Sequence, residues 1–249
     1  MLEVVEVVKD FGGLRAVDHV SFRVNRGEIK ALIGPNGAGK TTLLKVINGL
    51  LSPTSGEIRY AGKRISKMRP HSRCELGIGS VFQLSQLFRE LSVLENAMIG
   101  MHCHTKSNII TSGLRLPVCT REEKASRDKC LDILSIVGLE ERASVQAGIL
   151  PIGQQRLLEI ARALATDARL LLLDEPAAGL NSAEKEQLGK VILGIRERGA
   201  DVLLVEHDME LVMDISDSLV VLDYGKVIAE GPPESVRTNK AVIAAYLGE

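Results

Sequence analysis

The sequence predicts an α/β fold with a mostly parallel sheet, and three observations carry that expectation. From about residue 170, short apolar strands alternate with helical stretches: Leu170–Leu173, Ala183–Arg198, Val202–Glu206, Met209–Ile215 and Leu219–Leu222. Nearer the N-terminus, Glu28–Gly34 runs through a glycine-rich turn into the apolar stretch Thr41–Leu50, a strand–loop–helix unit. Ahead of it, Leu2–Val8 and Val17–Val24 alternate apolar and polar residues, as half-buried antiparallel strands do.

The remaining elements follow in order. Glu57–Tyr60 and Ile78–Phe82 read as further strands. Residues 86 to about 150 hold almost no strand signal and read as a mostly helical insertion. Within it, the polar stretch His102 to Pro117 reads as a loop. Thr120-Arg-Glu-Glu123 then has the pattern of a capping box opening a helix to about Val137. The tail holds a turn at Tyr224-Gly225-Lys226, a short strand to Glu230, Gly231-Pro232-Pro233 and a final short helix.

Composition narrows the function. The 249 residues, 45% hydrophobic and 25% charged, suffice for a large core and exclude a disordered or collagen-like chain. A formal charge of −1 supplies no global field for a polyanion, so no nucleic-acid partner is expected. No apolar run approaches the ~18–20 residues that span a bilayer. The start, MLEVVEVVKDFGG, has no cleavable apolar core, so the chain is expected to stay in the cytoplasm. Cys74, Cys103, Cys119 and Cys130 form no CxxC pair or zinc spacing and read as reduced thiols. The adjacent His102-Cys103-His104 cannot easily converge on one ion and reads as solvated loop.

The strongest chemical signal is Gly34-Pro35-Asn36-Gly37-Ala38-Gly39-Lys40-Thr41, a match to G-x-x-x-x-G-K-[ST] between a strand and a helix. Its glycines let backbone N–H groups turn inward around phosphate oxygens, and the helix aims its positive end at the same charge. Lys40 can reach β- and γ-phosphates, and the Thr41 hydroxyl can ligate Mg²⁺. The second signal is Leu170-Leu-Leu-Leu-Asp174-Glu175-Pro176, an apolar strand ending in two acids. Asp174 is suited to Mg²⁺; Glu175, facing elsewhere by strand alternation, can polarise an attacking water. Three weaker signals join them. Gln83 is either a Mg²⁺ and water contact or a plain polar strand end. His207 is either a γ-phosphate donor or a loop histidine. Phe11 either stacks on adenine or packs in the core.

Taken in order, these residues resemble the ATP-binding subunit of ABC transporters, over essentially the whole chain. Leu150-Pro151-Ile152-Gly153-Gln154-Gln155-Arg156 and the helix after it look like the family's signature loop. Two segments depart from the pattern. Pro151 and Ile152 stand where the usual L-S-G-G-Q has serine and glycine, and Ala178-Gly179-Leu180-Asn181 stands for S-A-L-D. Proline brings neither hydroxyl nor N–H to a phosphate, so Gly153 and the following helix N-terminus must do more.

The resemblance implies a P-loop NTPase (RecA-like) core over residues 1–85 and 155–225, with an antiparallel β part near the N-terminus. Residues 86–154 would be the inserted α-helical subdomain with the signature loop, and 226–249 a C-terminal strand and helix. It implies an ATPase with ATP on Phe11, Gly34, Pro35, Asn36, Gly37, Ala38, Gly39, Lys40, Thr41, Thr42 and Gln83. Gly153 and Gln154 would act in trans on the ATP of a second cassette. Mg²⁺ would sit on Thr41, Gln83 and Asp174, with Glu175 and His207 catalytic. Permease partners, and indirectly a solute-binding protein, are implied at the cytoplasmic face of a membrane. Phe11-Gly-Gly-Leu-Arg-Ala-Val-Asp, Val205-Glu-His-Asp-Met and Leu222-Asp-Tyr-Gly-Lys-Val-Ile-Ala-Glu-Gly-Pro-Pro look like the branched-chain amino acid importer branch. Urea or another amino acid as cargo, or a soluble non-transport ATPase, stay open beside it.

Overall fold

The computed structural model describes residues 1–82, 87–101 and 117–247. Gln83 and most of the expected loop, including His102, Cys103 and His104, lie outside them.

The chain opens with β1 (Leu2–Phe11), β2 (Leu14–Val24) and β3 (Ile29–Ile33), then helix α1 (Lys40–Asn48). β4 (Ser55–Tyr60), β5 (Lys63–Arg64), α2 (Pro70–Glu75), β6 (Ile78–Val81) and α3 (Val93–Gly100) follow. Next come α4 (Pro117–Ile136), α5 (Ile152–Leu164), β7 (Leu170–Asp174), α6 (Ser182–Glu197) and β8 (Asp201–Val205). The tail is α7 (Met209–Ile215), β9 (Ser218–Asp223), β10 (Lys226–Gly231), α8 (Pro233–Arg237) and α9 (Lys240–Leu247).

Two sheets form. One is antiparallel, in the order β2-β1-β4-β5; the other runs β10-β9-β3-β8-β7-β6 and is parallel except for the β9–β10 hairpin. The parallel strands read as unbroken apolar runs because both faces are buried. Leu32, Leu170, Leu172, Leu203, Val205 and Leu222 face one core with the antiparallel sheet and α1. Their neighbours Ile33, Leu171, Leu173, Leu204 and Val221 face a second core built with α3, α4, α5 and α6. At ~25 cal/mol per Å² of apolar surface, this double burial is the main term holding the sheet.

Several expectations need correction. β1 and β2 are longer than the alternating runs and meet in a hairpin, Phe11 opposite Leu14. The alternation breaks because the ladder slips between Val4 and Lys9, where Glu6 and His19 adopt left-handed backbone. The helix expected from Thr120 begins at Pro117, so the Thr120–Glu123 pattern lies inside it and not at its start. Proline suits a first turn because no N–H is needed there. The tail holds two short helices, α8 and α9, where one was expected.

The order places β3 between β8 and β9, while the chain first travels to the β6 edge and returns. The crevice at this reversal, beyond the carboxyl ends of the strands, is where such sheets bind ligands. Loops leaving β3, β7 and β8 all open there.

Candidate functional site

The loop after β3 is held by backbone before any side chain acts. Ala38 N–H donates to the Pro35 carbonyl (3.2 Å), and Gly225 N–H in the β9–β10 turn donates to the Ala38 carbonyl (3.0 Å). Gly34 and Gly39 have positive φ, 147° and 101°. A Cβ on Gly34 would lie 2.0 Å from the Leu222 carbonyl oxygen, and one on Gly39 2.3 Å from that of Ala16. Glycine is required at both on conformational and steric grounds. Asn36 and Gly37 at the loop's crown are exposed, and Thr41 and Thr42 are half-buried in the first turn of α1.

Lys40 begins α1 and is buried, its Nζ donating to the carbonyls of Gly34 (2.7 Å) and Pro35 (2.9 Å). Burial pulls its pKa below the usual lysine value, and the carboxylates of Glu175 and Asp174 oppose that pull. The phosphate loop and the acid pair therefore share one electrostatic neighbourhood.

Asp174 ends β7, opposite Val205 of β8, and is 4% exposed. Its Oδ1 is buried and finds no hydrogen-bond partner among the described residues. Burial, then the charge of Glu175, pushes its pKa up to about 6; Lys45 and Lys40 act the other way. A buried carboxylate with an unused oxygen suits a hard cation. Among the described residues no three His, Cys, Asp or Glu converge on one point. Mg²⁺ is a hard cation of this kind, bound by one or two carboxylates together with phosphate oxygens.

Glu175 lies past the end of β7, so strand alternation does not set its direction. β7 ends at Asp174, and Glu175 turns into left-handed backbone at φ 48°, its N–H donating to the Val205 carbonyl (2.8 Å). A non-glycine residue there is strained, as functional residues often are. Its Oε2 lies 3.9 Å from Nδ1 of His207, whose side chain is 60% exposed just past β8. Phe11, 45% exposed with Lys9 Nζ 5.0 Å above its ring, is outside the core. That exposure disagrees with the core-packing alternative for Phe11.

The signature-like segment sits at the start of α5. Pro151 is the N-cap residue and offers the helix no side-chain cap, Ile152 is exposed and Gly153 is buried. Gln154 carries a buried Oε1 with no hydrogen-bond partner among the described residues. Arg156 reaches back to the Phe82 carbonyl (3.2 Å), immediately before Gln83. Gly153 packs against the Glu184 side chain, which forms a capping box with Asn181 at the head of α6. Within this chain Gly153 and Gln154 thus lie beside the segment after the acid pair.

Two family models match: "ABC transporter" over residues 17–178 and "Branched-chain amino acid ATP-binding cassette transporter" over residues 226–249. The chain belongs to the ABC transporter ATP-binding family. This cassette is 43% identical to the high-affinity branched-chain amino acid transport ATP-binding protein BraF of Pseudomonas aeruginosa, covering 100% of this chain and 98% of that protein. It is 40% identical to the corresponding LivG of Escherichia coli K12 at the same coverage. Among solved structures it resembles an ATP-binding cassette of an ABC transporter in its ADP conformation (TM-score 0.88, 33% identity, 100% and 99% of the two chains). It also resembles a dimeric bacterial ABC transporter cassette (TM-score 0.78, 27% identity, 94% and 99%). Members of the family bind nucleotide and hydrolyse ATP to power transport, and the cassette is an ATPase of that kind. No helix among the described residues is long and apolar enough to cross a membrane.

Sequence reasoning passed over Glu206, although Val-Leu-Leu-Val-Glu206 repeats the pattern of Leu-Leu-Leu-Leu-Asp174. Its carboxylate is completely buried between the loops after β7 and β8. The capping role of Asn181 also went unread, although Glu184 three residues later completes that motif.

Proposed function

We propose that the cassette binds MgATP at the crevice beyond β3, β7 and β8 and hydrolyses it in a head-to-tail dimer, driving branched-chain amino acid uptake. The observation that carries this is the shared neighbourhood of Lys40, Asp174 and Glu175, with His207 beside Glu175.

In this reading Gly34, Pro35, Asn36, Gly37, Ala38 and Gly39 wrap the phosphates with backbone N–H groups, and Lys40 neutralises the β- and γ-phosphate oxygens. Phe11 stacks on adenine. Thr41, Asp174 and Gln83 would hold Mg²⁺, which neutralises phosphate charge. Thr42 adds a donor one step along the helix. Glu175 orients the attacking water in line with the γ-phosphorus, and His207 steadies the charge that develops. Gly153 and Gln154 meet the γ-phosphate of the partner cassette; exposed Ile149 and Ile152 beside them support a seam there.

Residues 1–85 and 155–225 form the nucleotide-binding core, 86–154 the helical insertion, and 226–249 a tail. The insertion relays closure to a permease at the cytoplasmic membrane face. A cleft of about 360 Å³ lined by Pro70, His71, Phe82 and Ile99 supports that docking. The relatives' names support the cargo, and a solute-binding protein would deliver it from the far side.

Glu175→Gln tests the reading. It should bind MgATP normally, lose at least about a hundredfold in turnover and sediment as an ATP-filled dimer. Wild-type turnover would remove Glu175 from the site.

A further inference from the structure

Glu206 has no part in the chemistry above, yet its surroundings are unusual. It is fully buried one residue past β8. Its Oε1 accepts the N–H of Ala177 (2.7 Å); its Oε2 accepts those of His207 (3.0 Å) and Asp208 (3.3 Å). Nδ1 of His207 is 3.8 Å from that same Oε2.

All three hydrogen-bond partners are donors, so the site asks for acceptors only, which a carboxylate supplies and a carboxamide does not. A glutamine would turn its NH₂ towards either Ala177 N–H or the paired N–H groups of His207 and Asp208. Charge-assisted bonds of this kind are about twice as strong as neutral ones.

The two sides it joins differ in what they reach. Ala177 starts the turn Ala177–Leu180, which leads through Asn181 into α6, where Glu184 packs against Gly153. His207 and Asp208 lead into α7, and Asp208 caps that helix through Leu211 N–H (3.0 Å). One side chain therefore spans the segment after Glu175 and the histidine loop.

We propose that Glu206 is a positioning residue that locks His207 to the 176–181 segment, so that the histidine is set for hydrolysis only when that segment is seated. The proposal rests on the assignment of His207 above and goes beyond it, since Glu206 itself touches no reacting atom.

The test is a double-mutant cycle on steady-state ATP hydrolysis by the full chain, with ATP affinity and unfolding midpoint measured alongside. Glu206→Gln should lower kcat about ten- to a hundredfold and leave ATP affinity within about twofold. Combined with His207→Ala it should cost no more than the larger single change, because both act through one group. Losses that multiply, wild-type turnover, or kcat and affinity falling together would each overturn the proposal. Should Glu206→Gln fail to fold, Glu206→Asp keeps the charge but withdraws it from Ala177. It should show the same kcat loss, and wild-type turnover there would also overturn the idea. Unchanged turnover in His207→Ala alone is the separate result that would sink the histidine assignment.

Discussion

At the scale of single residues, the site is built from groups held against their own preferences. Asp174 is the clearest case, with its carboxyl pushed up to about 6 by burial and by Glu175. Its folded-state pKa lies above the unfolded value near 3.8, so the folded state binds the extra proton between the two. Stability from this group is therefore greatest below about pH 4, falls as pH rises through about 6, and stays low beyond. Asp174→Asn should abolish hydrolysis yet raise the unfolding free energy without nucleotide at pH 7 by roughly 2–3 kcal/mol. It should also flatten stability between about pH 4 and 6. Denaturant titrations across that range measure both effects, and an Asn variant less stable than wild type at pH 7 would contradict them.

At the scale of elements, α1 must be aimed correctly for its N-terminus to serve phosphate. Its far end is gripped by Arg73 of α2, 1% exposed, which donates to the carbonyls of Val46 and Ile47 at the end of α1. The same guanidinium reaches the carbonyls of Ile65 (2.7 Å), Ser66 (3.3 Å) and Met68 (3.1 Å). Burial pulls its pKa down to about 10, which leaves it protonated at neutral pH. Arg73→Met keeps the stem and strands the carbonyls. It should cost about 3 kcal/mol in chemical unfolding, with little change in ATP affinity of the folded fraction. Strands such as β7 and β8 were legible because two buried faces force an unbroken apolar run. The phosphate loop was legible because its chemistry demands particular residues at particular spacings. Arg73 and Glu206 were not, because their burial depends on groups brought in by another segment: the Val46 and Ile47 carbonyls for Arg73, the Ala177 N–H for Glu206. The slipped ladder at Glu6 and His19 was hidden for a similar reason, since its register belongs to a pair of strands.

At the scale of the whole molecule, two sheets share one core and three loops share one crevice, and the proposed catalysis needs a second molecule as well. Ile149 and Ile152 are 72% and 56% exposed beside Gly153. Ile152→Asp should leave the monomer's unfolding midpoint within about 2 °C, since exposed substitutions shift stability by under ~0.5 kcal/mol. It should also suppress ATP-driven association of Glu175→Gln in sedimentation. Association at undiminished affinity would put the seam elsewhere. The proposed head-to-tail arrangement comes only through resemblance, because one chain's spacing says nothing about a neighbour.

The cramped setting of Gly34 and Gly39 bears on how inactive controls are chosen. Leu222 and Ala16 deny both positions any side chain, so a variant there would damage the empty protein first and its chemistry second. A dead enzyme made that way would report a misshapen scaffold. Lys40→Met keeps the side-chain stem and both glycines, giving up only the bonds to the Gly34 and Pro35 carbonyls, and offers the cleaner blank for transport assays.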